Sequence, residues 1–336
     1  MNILITGGGG FLGARLARTL LAQGTLSLHG APAQPIQQIT LADRATPPAD
    51  LLADARVRSV EGDLLDLIAA GTLPGAGTQI VFHLAAAVSG ECEADFDLGM
   101  RSNLDSTRAL LEACRKMGTC PAFVFASSLA VFGNLPGRPL PEPIEDETLP
   151  TPQSSYGIQK FICEQLVADM TRKGFIAGRS VRLMTVSVRP GKPNGAASGF
   201  LSGMIREPLA GLKAPCPAPA DTPVALASPA KTVEGIIRAV EASQAQWGPL
   251  IALNLPSLRT SVGEMAAALE KVAGPAATAL LDWTPDEPIR RLVKTWPGNI
   301  AWKRAAAMGL TADADFEAVV RDYIRENPGA VKLPVL

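Results

Sequence analysis

The chain begins with a short apolar run that leads directly into four consecutive glycines. Asn2-Ile3-Leu4-Ile5-Thr6 is of strand type, and Gly7 to Gly10 follow at once. Phe11, Leu12, Leu16, Leu20 and Leu21 then recur at helical spacing as far as Gly24. A strand, a glycine turn and a helix in that order leave few options. Glycine permits a tight turn and close backbone approach, and the helix start presents unpaired N–H groups and its positive dipole end. The glycines read as GxxGxxG at Gly7, Gly10 and Gly13, or as GxGxxG from Gly8. Both readings predict a pyrophosphate cradle formed with the amides of Phe11, Leu12 and Gly13.

The same alternation continues along the chain. Short apolar runs occur at 39–42, 57–61, 80–84, 122–126 and 181–188, with helical patterns at 98–117 and 156–172. Near-continuous apolar strands alternating with helices predict a parallel sheet covered on both faces. The fold class expected is therefore α/β, a Rossmann-type doubly wound parallel sheet with a smaller C-terminal substrate-binding domain. Prolines become frequent after residue 189, which sets the division: 1–189 for the dinucleotide, with 248–273 returning to it, and 190–336 mainly for substrate.

Composition narrows the partners. With 31 basic and 32 acidic residues, the net charge of −1 gives no cationic surface for nucleic acid. No apolar stretch is long enough to span a bilayer. The N-terminus lacks a signal-peptide pattern, and Cys92, Cys114, Cys120, Cys163 and Cys216 form no CxxC pair, so a reducing cytoplasm is expected. Two histidines, His29 and His83, make a zinc site hard to assemble, and no metal is expected. His83, in a buried apolar run, reads as a hydrogen-bonded core residue rather than a catalyst.

Asp43 ends the second long apolar run, 30 residues past Gly13. A carboxylate there accepts from ribose hydroxyls and repels a 2′-phosphate, which favours NAD over NADP, although Arg44 beside it works the other way. Asp63 is placed to accept from an adenine amino group, or else is an ordinary polar strand end. Leu84, Ala85 and Ala86 suit a backbone passing close to a cofactor.

Tyr156 and Lys160 are four residues apart and face one side of a helix. A tyrosine acting as a base near neutrality needs its pKa lowered by about three, worth ~4 kcal/mol. An ammonium ~4 Å away at an effective dielectric of ~20 supplies about that. Ser127 and Ser128 stand at the C-terminal end of a central strand, where open α/β sheets bind ligands. Ser128 can donate to an oxygen on which charge develops, or cap the strand end.

Taken together, these motifs resemble the extended short-chain dehydrogenase/reductases, the NAD-dependent epimerase/dehydratase family. They comprise Thr6–Gly13, Asp43, Asp63-Leu64, Leu84-Ala85-Ala86, Asn103, Ser127-Ser128, Tyr156 with Lys160, and Arg189-Pro190. Phe132 departs from the family pattern, which has tyrosine before Gly133. The resemblance implies that Tyr156 takes the substrate proton, Lys160 also holds the nicotinamide ribose, and Ser128 binds the substrate oxygen. It implies that Leu64 and Pro190 contact the cofactor and that Asn103 supports the lysine.

The stretch from Val188 to Ser198 is similar to that of sugar-acid dehydrogenases in the family. That similarity implies NAD-dependent oxidation of the C2 hydroxyl of a small anionic acid, D-erythronate. Arg189, Lys192, Asn194 and Ser89 are the candidates to hold it. Nucleotide-sugar epimerase or reductase chemistry, a uronate dehydrogenase, and a non-catalytic cofactor-binding protein are the alternatives. Relatives often dimerise through the helices at 98–117 and 156–172, so a homodimer is expected.

Overall fold

A computed structural model describes residues 1–191, 196–248 and 252–336. Seven parallel strands form the central sheet: β1 (Asn2–Thr6), β2 (Gln38–Asp43), β3 (Val57–Glu61), β4 (Ile80–His83), β5 (Ala122–Ser128), β6 (Ala177–Leu183) and β7 (Leu253–Asn254). Their spatial order is β7-β6-β5-β4-β1-β2-β3. The chain runs outward from β1 to β3, then crosses back to β4 on the other side of β1. Such a reversal opens a crevice at the carboxyl ends of the strands.

Both faces of the sheet are covered, which is why its strands are apolar throughout. Ile3, Ile5, Ile39 and Phe82 pack on one face with α1 (Phe11–Gln23) and the helix Pro229–Glu241. Leu4, Val81, Phe123 and Phe125 pack on the other face with α2 (Ser106–Met117) and α3 (Ser155–Arg172). The late arrival of Asp43 is explained by a small antiparallel hairpin, Thr25–Leu26 with Gln34–Pro35, inserted before β2.

A second core is built from the helices Gly199–Leu209, Val262–Ala273 and Phe316–Glu326. This differs from the expected return of 248–273 to the sheet. Among the described residues of that stretch only Leu253–Asn254 pairs there, with β6, while Val262–Ala273 buries Val262, Met265 and Leu269 in the second core. Conversely, Pro229–Glu241 belongs to the sheet, because Val233, Ile236, Ile237 and Val240 form its apolar stripe against β-strand side chains.

The helix expected over 98–117 is also interrupted. Met100–Asp105 is π-helical, and α2 starts only at Ser106. The wider turn sets Asn103 inward, 2 % exposed. No helix among the described residues is long and apolar enough to cross a membrane.

Candidate active site

A cavity of about 410 Å³ lies at the carboxyl ends of β1, β2, β4, β5 and β6. At one end the glycine turn forms its floor. Gly7 has φ +72°, and a Cβ there would sit 2.9 Å from the Ala85 amide nitrogen. A Cβ at Gly13 would meet the Gly7 carbonyl oxygen at 2.1 Å, so α1 can start this close to the turn only with glycine. Phe11, Leu12 and Gly13, the first residues of α1, line the cavity together with Gly7 and Gly10. A helix leaves its first amides without intrahelical partners, and the N-cap here, Gly10, supplies no side chain. This is a cradle for an anion.

Asp43 lines the cavity beside it. Its Oδ2 accepts from the amides of Gly9 at 3.0 Å and Gly10 at 3.1 Å, and Oδ1 accepts from Ala45 at 3.1 Å. The carboxylate thus braces the glycine turn as well as facing the cavity. Asp63 and Leu64 also line it. Asp63 Oδ1 caps the helix Leu64–Ala69 through the Leu65 amide at 3.0 Å and pairs with Arg101 at 3.0 Å. Leu84, Ala85 and Ala86 complete the wall after β4.

His83 is held from both sides. The Thr107 hydroxyl donates to the Asn103 carbonyl at 2.6 Å, so it must accept from His83 Nε2–H at 2.8 Å. Nδ1 is then an acceptor from the Thr6 hydroxyl at 2.6 Å, and Thr6 in turn accepts from the Ala85 amide at 3.3 Å. Burial, then nearby Lys160, pushes the imidazole down to about 3. It is a neutral structural residue.

At the other end stand Ser128, Tyr156 and Lys160. The Ser154 hydroxyl caps α3 through the Gly157 amide at 3.1 Å. A Cβ at Gly157 would lie 2.1 Å from the Ala130 carbonyl oxygen, so glycine lets α3 abut the turn after Ser128. Ser128 Oγ accepts from the Ala130 amide at 3.1 Å while facing the cavity. Ser127 points the other way and donates to Glu164 at 2.5 Å. Glu164 holds Arg182 by two bonds, at 3.0 and 2.9 Å, and all three side chains are buried.

The electrostatics differ from the simple pairwise expectation. Burial pushes Tyr156 up to about 12, and the groups pulling it back are Ser128, through a hydrogen bond, and Arg189. Lys160 turns its ammonium onto the Ala126 carbonyl at 2.8 Å, 5.6 Å from the Tyr156 ring centroid. Burial depresses it to about 8. Desolvation is the largest influence on both groups and moves each toward its neutral form.

Arg189 and Ser89 reach the same end. Among the described residues no carboxylate pairs with Arg189. Its guanidinium donates to Ser198 at 3.2 Å, and burial, then neighbouring Arg206, lowers its pKa. Ser89 Oγ accepts from the Ala197 amide at 3.3 Å. Asn103 and Pro190 do not line the cavity. Asn103 instead grips the Ala87 backbone through its amide at 2.8 Å and its carbonyl at 3.2 Å, and donates to Gln159 at 2.8 Å. It therefore holds the wall after β4, and no direct bond from it to Lys160 is formed among the described residues. Lys192 and Asn194 lie outside the described residues. Trp296, which no motif marks, lines the cavity as well.

The model of the NAD dependent epimerase/dehydratase family matches residues 3–222. The chain belongs to that family. Two curated relatives in it are D-erythronate dehydrogenases. The one from Cupriavidus necator is 48 % identical over 332 residues, covering 99 % of this chain and 100 % of its own. The one from Haemophilus influenzae is 41 % identical, covering 96 % and 99 %. A crystal structure described as a nucleoside-diphosphate-sugar epimerase from Agrobacterium tumefaciens superposes with a TM-score of 0.88 at 42 % identity, covering 98 % of this chain and 95 % of that one.

Proposed function

We propose that this family member is an NAD-dependent dehydrogenase that oxidises the C2 hydroxyl of D-erythronate to 2-oxo-tetronate. The observation that carries the reading is Arg189. A guanidinium beside Tyr156, lining the cavity and without a carboxylate partner among the described residues, suits a substrate that brings its own carboxylate. The two dehydrogenase relatives, matched over almost their whole length, support the same acid.

The residues present fit a dinucleotide. The glycine turn and the amides of Phe11, Leu12 and Gly13 would hold the pyrophosphate. Asp43 would read the adenosine ribose as NAD, Asp63 and Leu64 would border the adenine, and Lys160 would hold the second ribose. Bound there, NAD supplies the hydride acceptor. Tyr156 acts as its phenolate, the form that Ser128 and Arg189 favour, and its Oη takes the proton of the C2 hydroxyl; Ser128 donates to that oxygen as it becomes a carbonyl, and Arg189 fixes the carboxylate, with Ser89 beside it.

Residues 1–189 then serve mainly the cofactor, and the Pro-rich remainder mainly the acid. A homodimer through exposed Phe96, Ile158 and Ile162 completes the reading, in a reducing cytoplasm that suits five unpaired cysteines. The second reading, a nucleotide-sugar epimerase, is favoured by the description of the Agrobacterium tumefaciens structure.

The test is NADH formation with D-erythronate, threonate, glucuronate, galacturonate and UDP-sugars. D-erythronate should be turned over best, and Tyr156→Phe should abolish turnover while NAD still binds. Turnover of UDP-sugars alone would overturn the reading.

A further inference from the structure

Trp296 brings to the cavity a wall from a part of the chain that carries none of the motifs. It follows the helix Glu287–Val293, and its amide donates to the Val293 carbonyl at 3.0 Å. The residue is partly buried and packs against two apolar clusters at once, that of the C-terminal core and a smaller one containing Leu129, Val131, Phe132 and Met184. Leu129 directly follows Ser128, and Met184 directly follows β6. These contacts put Trp296 at the catalytic end of the cavity, away from the glycine turn.

The backbone that carries it is closely held. Pro297 and Gly298 are buried, and a Cβ at Gly298 would lie 2.4 Å from the Pro223 Cβ. Just beyond, Ile144 donates to the Asn299 carbonyl at 3.0 Å, and the Ala301 amide donates to Ile144 at 2.8 Å. Asn254 of β7 donates its side-chain amide to the Ala301 carbonyl at 3.3 Å. Arg189 is anchored in a comparable way, its amide donating to Ser202 at 3.0 Å and its carbonyl accepting from Arg206 at 2.8 Å.

Arg189 and Trp296 thus both line the cavity, an anion anchor and an aromatic wall on fixed backbones. An acid tied to Arg189 by its carboxylate, with C2 at Ser128 and Tyr156, has its remaining carbons to place against that wall. A longer chain must displace a ring that two clusters hold in place.

We infer that Trp296 determines specificity by setting the longest acid the cavity accepts. It would admit a four-carbon acid and refuse extended acids and nucleotide-linked sugars. This rests on the sugar-acid reading above.

The experiment compares wild type with Trp296→Ala and Trp296→Leu on aldonates of four, five and six carbons sharing one C2 and C3 configuration. Circular dichroism and the KM for NAD serve as controls. The ratio of kcat/KM for the six-carbon acid to that for the four-carbon acid should rise at least tenfold in Trp296→Ala, chiefly through KM. Trp296→Leu should move it less, in the same direction, and carries the test if the alanine variant does not fold. A ratio that moves less than threefold in a folded variant with normal NAD affinity overturns the role of Trp296 alone. A wild type inactive on every acid overturns both readings.

Discussion

Replacing Lys160 by methionine should stabilise the ligand-free protein while ending its catalysis. The side chain is 3 % exposed, and its ammonium is held by the Ala126 carbonyl at 2.8 Å and the Phe125 ring at 4.8 Å. No ion pair to it is formed among the described residues. Burial depresses its pKa from 10.5 to about 8, a difference that corresponds to about 3 kcal/mol of cost to the folded state. The sign follows from proton counting. Below pH 8 both folded and unfolded chains carry the proton, and the cost is complete. Between pH 8 and 10.5 the unfolded chain binds more protons, so wild-type stability rises with pH. Above 10.5 both states are neutral and the cost has gone.

Methionine removes the charge at similar length and forfeits the hydrogen bond and the ring contact, each about 1 kcal/mol. The net gain expected below pH 8 is therefore about 1 kcal/mol. Urea unfolding of both proteins without cofactor, from pH 6 to 11, measures it. The advantage of Lys160→Met should shrink from pH 8 upward, reverse near pH 9 and become a deficit of about 2 kcal/mol by pH 10.5, and the variant should have no measurable turnover. A variant less stable at every pH, or a difference that does not change with pH, would refute the reasoning.

Two further substitutions probe other parts of the site. Glu164→Ala strands the buried Arg182 and frees Ser127, so stability should fall by about 3–5 kcal/mol in thermal or urea unfolding; a loss below 1 kcal/mol would mean that the pair is not structurally important. Asp43→Ala removes the acceptor of the Gly9 and Gly10 amides together with the proposed ribose contact. It should raise the KM for NAD roughly 10–100-fold, the scale of a lost hydrogen bond to a charged group, and narrow the preference over NADP. An unchanged KM would remove Asp43 from cofactor recognition.

What the sequence revealed was mostly local. The glycine turn, the acid ending β2 and the i,i+4 spacing of Tyr156 and Lys160 each lie within one strand, turn or helix, and the fold brings them to one cavity. The same holds for the alternation that builds the parallel sheet. What stayed hidden depends on contacts between distant segments. The pairing of Glu164 with Arg182 and Ser127 joins a helix to two strands, and no pattern in any one segment announces it. Trp296 reaches the cavity from a stretch whose Gly298 lies flush against Pro223, far away in sequence. The π-helical turn carries Asn103, whose side chain grips the distant Ala87, whereas the helical spacing of the surrounding residues suggested a continuous helix. The raised pKa of Tyr156 stayed hidden for a related reason. Pairwise attraction can be read from spacing, but the desolvation that outweighs it is set by packing.

The reversal of strand order beside β1 has a consequence for how such an enzyme can change. On the proposed reading, the residues that choose between dinucleotides sit on β2 and the turn after it, and those that choose the acid follow β4, β5 and β6 or come from the second core. The two sets touch different parts of one elongated ligand pair across a strand that neither can move. Drift at Asp43 and Arg44 would therefore alter which nicotinamide pool the cell spends on this oxidation. Drift around Arg189 would alter what is oxidised. Each trait is free to adapt without renegotiating the other.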